Sequence, residues 1–259
     1  MGTATATLSL CQWPTSSSSS SVRMHVRFSC RTPHLSPYTV DRTLYSAEVA
    51  MEAAKAAIAG GISVLEIVVS TPGVLQQLVK EHPTMALGVC FNPLSFYLVF
   101  HMVGTVLRIE DAKSAINAGA KFLMSPATVK DIMEMDYVQS GEILYIPGTM
   151  TPTEILSACD EGAKIVKVGL CMFFNIYPVS ALGGFQYISA LKKAFPHISM
   201  VASQGITIDS IGEYILRGAS AVVLSDAIFD KDAIAQHDLD KIQKLAHSAA
   251  LLGNKSVNR

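Results

Sequence analysis

Four times in this chain an amphipathic run stops at a glycine and passes straight into a short, β-branched segment that is apolar along most of its length. Residues 51–59 stop at Gly60-Gly61 before 62–69, and 109–117 stop at Ala118-Gly119 before 121–124. Residues 153–159 stop near Gly162 before 164–168, and 208–216 stop at Gly218 before 221–225. Glycine just past the last helical turn takes the left-handed conformation that ends a helix. A strand without polar alternation is covered on both faces. Helix and buried strand in alternation describe a parallel sheet wrapped by helices, either a closed barrel or a doubly wound sheet.

Three more strands are read at 85–89, 143–146 and 198–203, making seven. A (β/α)8 barrel needs eight, and this series opens on a helix at 47–59 with no strand before it. The upstream stretch 22–28 alternates Val22, Met24, Val26 and Phe28 with basic residues, but Arg23 and Arg27 weigh against a buried barrel strand.

Composition narrows the function. The chain has 259 residues, 50% hydrophobic and 16% charged, with a net charge of -1, which suits one large core and a short appendage. No Lys/Arg cluster points to nucleic acid or an anionic membrane surface, so the expected partner is a small molecule. The most apolar run, 94–103, is too short to span a bilayer. Cysteines at 11, 30, 90, 159 and 171 form no C-x-x-C pair, and the histidines are scattered. No metal site or cofactor is expected, and His82, His101 and His197 read as partly exposed or capping residues. Residues 1–40 contain no Asp or Glu, carry Arg23, Arg27 and Arg31, and include a serine run at 16–21. That is the composition of an organellar transit peptide, and the Ser/Thr bias favours the chloroplast stroma. The expected division is a disordered transit peptide at 1–40 and a barrel at 41–259.

Two ionisable residues lie inside strands. Glu66 stands in Val-Leu-Glu-Ile-Val-Val, and a carboxyl among that much hydrocarbon must be paired, hydrogen-bonded or protonated. Lys167 stands in Lys-Ile-Val-Lys-Val, where desolvation favours the free amine that attacks a carbonyl. Reacting groups in barrels project from the C-terminal ends of strands. The two residues read either as an imine-forming lysine with its proton shuttle, or as a buried ion pair.

Several motifs occur in order: 64–69 around Glu66, Gly104-Thr105-Val-Leu, Ser125-Pro126, Ile146-Pro-Gly148, Ile165-Val-Lys-Val and Tyr177-Pro-Val-Ser-Ala-Leu-Gly-Gly184. Together, over about residues 42–240, the chain resembles the KDPG/KHG aldolases, class I aldolases of 2-keto-3-deoxy-6-phosphogluconate and 4-hydroxy-2-oxoglutarate. The resemblance implies an α/β fold, a (β/α)8 TIM barrel, here incomplete with seven recognisable strands. It implies a homotrimer that needs no metal or cofactor and cleaves a 2-keto-4-hydroxy acid to pyruvate and an aldehyde. By position, Lys167 is similar to the imine-forming lysine and Glu66 to the general acid/base. Thr105 is similar to the hydroxyl that holds the pyruvate carboxylate, while Ser203 and Gly205 lie in the substrate-binding turn.

The chain also departs from that family. An arginine four residues after the glutamate is Ser70 here, which removes a bidentate carboxylate contact. The family's Thr-Gly-Gly turn reads Ser203-Gln204-Gly205, and its Gly-Gly-Ser reads Ser225-Asp226-Ala227, which weakens the case for a phosphorylated substrate. The family's first strand, an apolar run ending in Arg, belongs between Leu44 and Ser46, where only Tyr45 stands. Inserts at 90–103 and 169–176 read as an active-site lid or as products of an atypical transcript. The second reading, with the absent strand, makes the alternative a catalytically impaired scaffold or trimer partner.

Overall fold

The computed structural model describes residues 23–28, 47–68, 74–90, 106–169 and 179–257. Its strands are β1 (Arg23–Phe28), β2 (Val64–Val68), β3 (Ala86–Cys90), β4 (Phe122–Met124), β5 (Leu144–Ile146), β6 (Gly148–Thr149), β7 (Ile165–Val168), β8 (Ser199–Ser203) and β9 (Ala221–Leu224). All pairings are parallel, in the spatial order β5-β4-β3-β2-β1-β9-β8-β7-β6. The two ends of that order, β5 and β6, are separated in sequence only by Pro147. Proline lacks the N–H that a ladder needs, so one strand is split into two segments. Residues 144–149 therefore pair with β4 on one side and β7 on the other, and the sheet closes as a (β/α)8 barrel of eight staves. The Pro147 carbonyl still accepts from the Lys167 amide at 2.8 Å.

The register confirms the closure. It runs from Glu66 through Gly88 and Phe122 to Leu144, crosses from Gly148 to Lys167, and continues through Val201, Ala221 and Arg23. The path returns to β2 level with Ile62, four residues before its start, and with the four-residue step from Leu144 to Gly148 along the shared stave the total offset is about eight, the shear of a TIM barrel.

All seven strands expected from the sequence are present. The place of the first strand is not vacant: β1 fills it, with Arg27 the register partner of Glu66 on one side and Val26 of Leu224 on the other. Without β1, the facing edges of β2 and β9 would expose unpaired backbone groups, and that need for partners outweighs the weak apolar pattern of the segment. Residues 91–103 of the first insert, 170–176 of the second, the expected transit segment apart from β1, Ser70 and Thr105 lie outside the described residues.

Ten helices among the described residues surround the barrel: α1 (Ala47–Ala59), α2 (Val74–Glu81), α3 (Ile109–Asn117), α4 (Lys130–Met133), α5 (Asp136–Gln139), α6 (Pro152–Asp160), α7 (Gly184–Ala194), α8 (Ile211–Leu216), α9 (Lys231–Ala235) and α10 (Leu239–Val257). A 3-10 turn, Ile208–Ser210, leads into α8. The long α10 packs against both α1 and α8. Gly60 permits the close approach to α10, since a Cβ there would stand 2.5 Å from that of Ala246.

Strand periodicity divides the core in two. Leu65, Leu87, Leu123, Tyr145, Val166, Met200 and Val222 pack outward beneath the helices. Val64, Phe122, Met124, Ile146, Ile165, Val201, Ala221 and Val223 fill the barrel interior. Each buried aliphatic side chain contributes about 1.5–3 kcal/mol.

Candidate active site

Inside the barrel, the side chains change character toward the C-terminal ends of the strands. Two residues beyond Val64, Ile165 and Val201 on the inward period stand Glu66, Lys167 and Ser203; beyond Ala86 and Ile146 stand Gly88 and Gly148. Hydrocarbon fills the floor, and polar residues and glycines enter only at the next inward positions of these five staves. Glu66, Lys167 and Ser203 are each only 1% exposed, so these polar groups belong to the interior rather than the surface.

Glu66 and Lys167 occupy β2 and β7, four staves apart on an eight-stave ring, and so oppose each other across the barrel axis. Register fixes their relative height. Traced through β3, β4 and β5, the pairing partner of Glu66 on β7 lies four residues before Lys167. Traced through β1, β9 and β8, it lies four residues beyond. Equal offsets of opposite sign put the two residues at one level. The same layer takes Met124 and Val223 from the two alternate staves, in the four-residue layering typical of these barrels. A carboxyl and an amine therefore share a layer with two apolar side chains, in an interior just wide enough for side chains to fill.

Backbone contacts fix the mouth above this layer. Phe122 packs its ring over Gly88, leaving no room for a Cβ at the register partner of Glu66. Gly148, the partner of Lys167, passes so close to the Pro126 carbonyl that a side chain there would clash with backbone. Gly169 has φ +107° and lies against the Ser203 carbonyl, which accepts from the Val179 amide at 3.2 Å. Thus β7 and β8 are tied together immediately beyond Lys167.

Ser125-Pro126 and Ile146-Pro-Gly148, separate motifs in the sequence, form one interlock. The buried Ser125 hydroxyl bonds to the Tyr145 hydroxyl and the Ala127 carbonyl, while the Val129 amide donates to Tyr145 at 3.1 Å. Burial raises the pKa of Tyr145, keeping the phenol protonated. Tyr145 escaped the sequence reading; its signal was a hydroxyl-bearing ring in the otherwise aliphatic Leu-Tyr-Ile strand.

Ser203 faces inward at the end of β8, and Gly205 follows in an exposed turn. Gln204 has φ +74° and Gly205 φ +71°, so glutamine holds the left-handed conformation that glycine accepts without a Cβ penalty. At the end of β9, Ser225 donates to the Asp226 carboxylate at 3.2 Å. Among the described residues no cluster of three His, Cys, Asp or Glu side chains could hold a metal ion.

Comparison with known proteins gives a consistent result. The family model described as KDPG and KHG aldolase matches residues 40–245. The chain is 27% identical over 205 residues to the KHG/KDPG aldolase of Escherichia coli K12, covering 78% of this chain and 85% of that protein. It is 29% identical over 203 residues to the 2-dehydro-3-deoxy-phosphogluconate aldolase of Pseudoalteromonas atlantica, covering 77% and 83%. In fold it is similar to the KDPG aldolase of Legionella pneumophila, solved with pyruvate captured as a covalent carbinolamine. That match has a TM-score of 0.66 at 24% identity and covers 89% of this chain and 95% of the other.

Proposed function

Because the chain belongs to the KDPG and KHG aldolase family, we propose that it is an aldehyde-lyase cleaving a 2-keto-4-hydroxy acid, of the 4-hydroxy-2-oxoglutarate or 2-keto-3-deoxy-6-phosphogluconate type, to pyruvate and an aldehyde. The supporting observation is the placement of buried Glu66 and Lys167 at one level on opposite staves of a barrel interior that is otherwise largely hydrocarbon. The Lys167 amine adds to C2 of the keto acid, and loss of water gives the protonated imine. Glu66 removes the proton of the C4 hydroxyl as the C3–C4 bond breaks. The bonding pair moves into the imine, giving an enamine and releasing the aldehyde. Protonation at C3 and hydrolysis then free pyruvate and restore the amine. The imine acts as the electron sink, and a positioned carboxyl contributes about 10²–10⁴-fold through proton transfer.

Thr105 is assigned to the pyruvate carboxylate, and Ser203 and Gly205 to the rest of the substrate. The family resemblance supports a homotrimer in solution, and the composition of residues 1–40 supports delivery to the chloroplast stroma. The impaired-scaffold alternative rested on a vacant first-strand position together with the two inserts; β1 occupies that position, and most of both inserts lies outside the described residues.

Steady-state kinetics on 4-hydroxy-2-oxoglutarate test this reading. Lys167→Ala is expected to abolish pyruvate release, and Glu66→Gln to lower kcat about 10²-fold or more with a smaller change in KM. Full activity of Lys167→Ala would overturn the assignment.

A further inference from the structure

We infer that the mouth of the barrel beside β8 and β9 selects against a phosphate on the aldehyde-forming end of the substrate, so that this chain prefers an unphosphorylated 2-keto-4-hydroxy acid. The inference rests on the site proposed above and names its substrate class.

In (β/α)8 barrels a phosphate is commonly held by the loops after the seventh and eighth staves and by the N-terminus of a short extra helix. Those elements are present here as the turns after β8 and β9 and the five-residue α9. An anion site needs free donors and an absence of negative charge. Here the chain consumes many of the donors itself. After β9, the amides of Ile228 and Phe229 both donate to the Ser225 carbonyl, at 3.0 and 2.9 Å. The Ser225 hydroxyl donates to Asp226. At the start of α9 the Ala233 amide donates to the Asp230 carboxylate at 2.9 Å, and that carboxylate also accepts from Lys241 at 2.8 Å. After β8, the Thr207 amide donates to the Ser210 hydroxyl at 3.0 Å and the Ser210 amide returns to the Thr207 carbonyl at 3.1 Å.

Charge and shape act in the same direction. Asp226 is exposed in the turn that leaves β9 and would repel a dianion. Gln204 sits in the left-handed turn after β8, where glycine would leave the backbone open to an approaching oxyanion. A neutral hydroxylated tail meets no such repulsion at this mouth, and its hydroxyls can donate to the exposed Asp226 carboxylate.

The test compares, on the full chain, pyruvate release from 2-keto-3-deoxy-6-phosphogluconate and from the same compound without its phosphate. The expected result is a kcat/KM about tenfold or more higher for the unphosphorylated compound. Asp226→Asn is expected to narrow that ratio, and inorganic phosphate is expected not to inhibit. A preference for the phosphorylated compound, or competitive inhibition by phosphate, would overturn the inference. If the chain releases no pyruvate at all, the proposed function fails separately. Phosphorus NMR of inorganic phosphate with the same protein then decides: line broadening overturns the inference, and an unbroadened signal supports it.

Discussion

At the residue scale, Glu66 and Lys167 were legible because each interrupts a β-branched run that has every other mark of a buried strand. Their mutual position was not legible, since it depends on register carried through intervening staves, which no local pattern encodes. The glycines divide in the same way. Helix-ending glycines announced themselves, with Gly61, Gly119, Gly162 and Gly218 all at positive φ. Gly148, by contrast, has an ordinary backbone conformation and is required by the Pro126 carbonyl of a neighbouring stave. Gly148→Ala should therefore destabilise the fold by about 3 kcal/mol, the upper end of overpacking costs, because the obstructing atom belongs to backbone. Chemical denaturation measures this, and an unchanged midpoint would show that the 125–129 turn yields freely.

At the element scale, the cadence of helix, glycine and buried strand placed seven strands, and the structure starts α6 at Pro152, one residue ahead of the run read at 153–159, with a capping box between Thr151 and Glu154. Two features were hidden. Pro147 divides one stave into β5 and β6, so closure becomes visible only when both edges are traced to residues 144–149. The first stave comes from Arg23–Phe28, upstream of the stretch at 40–245 that matches the family, and its basic residues masked it. A transit peptide removed after residue 40 and a barrel that keeps β1 exclude each other. A chain trimmed of residues 1–40 is expected to aggregate, whereas one trimmed of residues 1–22 keeps β1 and is expected to remain monodisperse in size exclusion. Equal behaviour of the two would show that β1 contributes nothing to folding. The same dependence predicts that any N-terminal processing of the chain falls before Arg23, which N-terminal sequencing of the protein from its native source would read.

At the scale of the whole molecule, a shear of about eight and closure through Pro147 fix where opposite staves meet. The barrel brings together two residues that lie a hundred positions apart in the chain and holds them among hydrocarbon. Just beyond Lys167, Gly169 lies against the Ser203 carbonyl, which also accepts from the Val179 amide, so the chain that follows the lysine is held to β8. The most direct test of this account is borohydride reduction of the full chain in the presence of pyruvate, followed by intact mass and peptide mapping. The account predicts one pyruvate-derived adduct per chain, on the peptide containing Lys167 and absent from Lys167→Ala. A folded, monodisperse chain that gives no adduct, or gives it on another lysine, would contradict it.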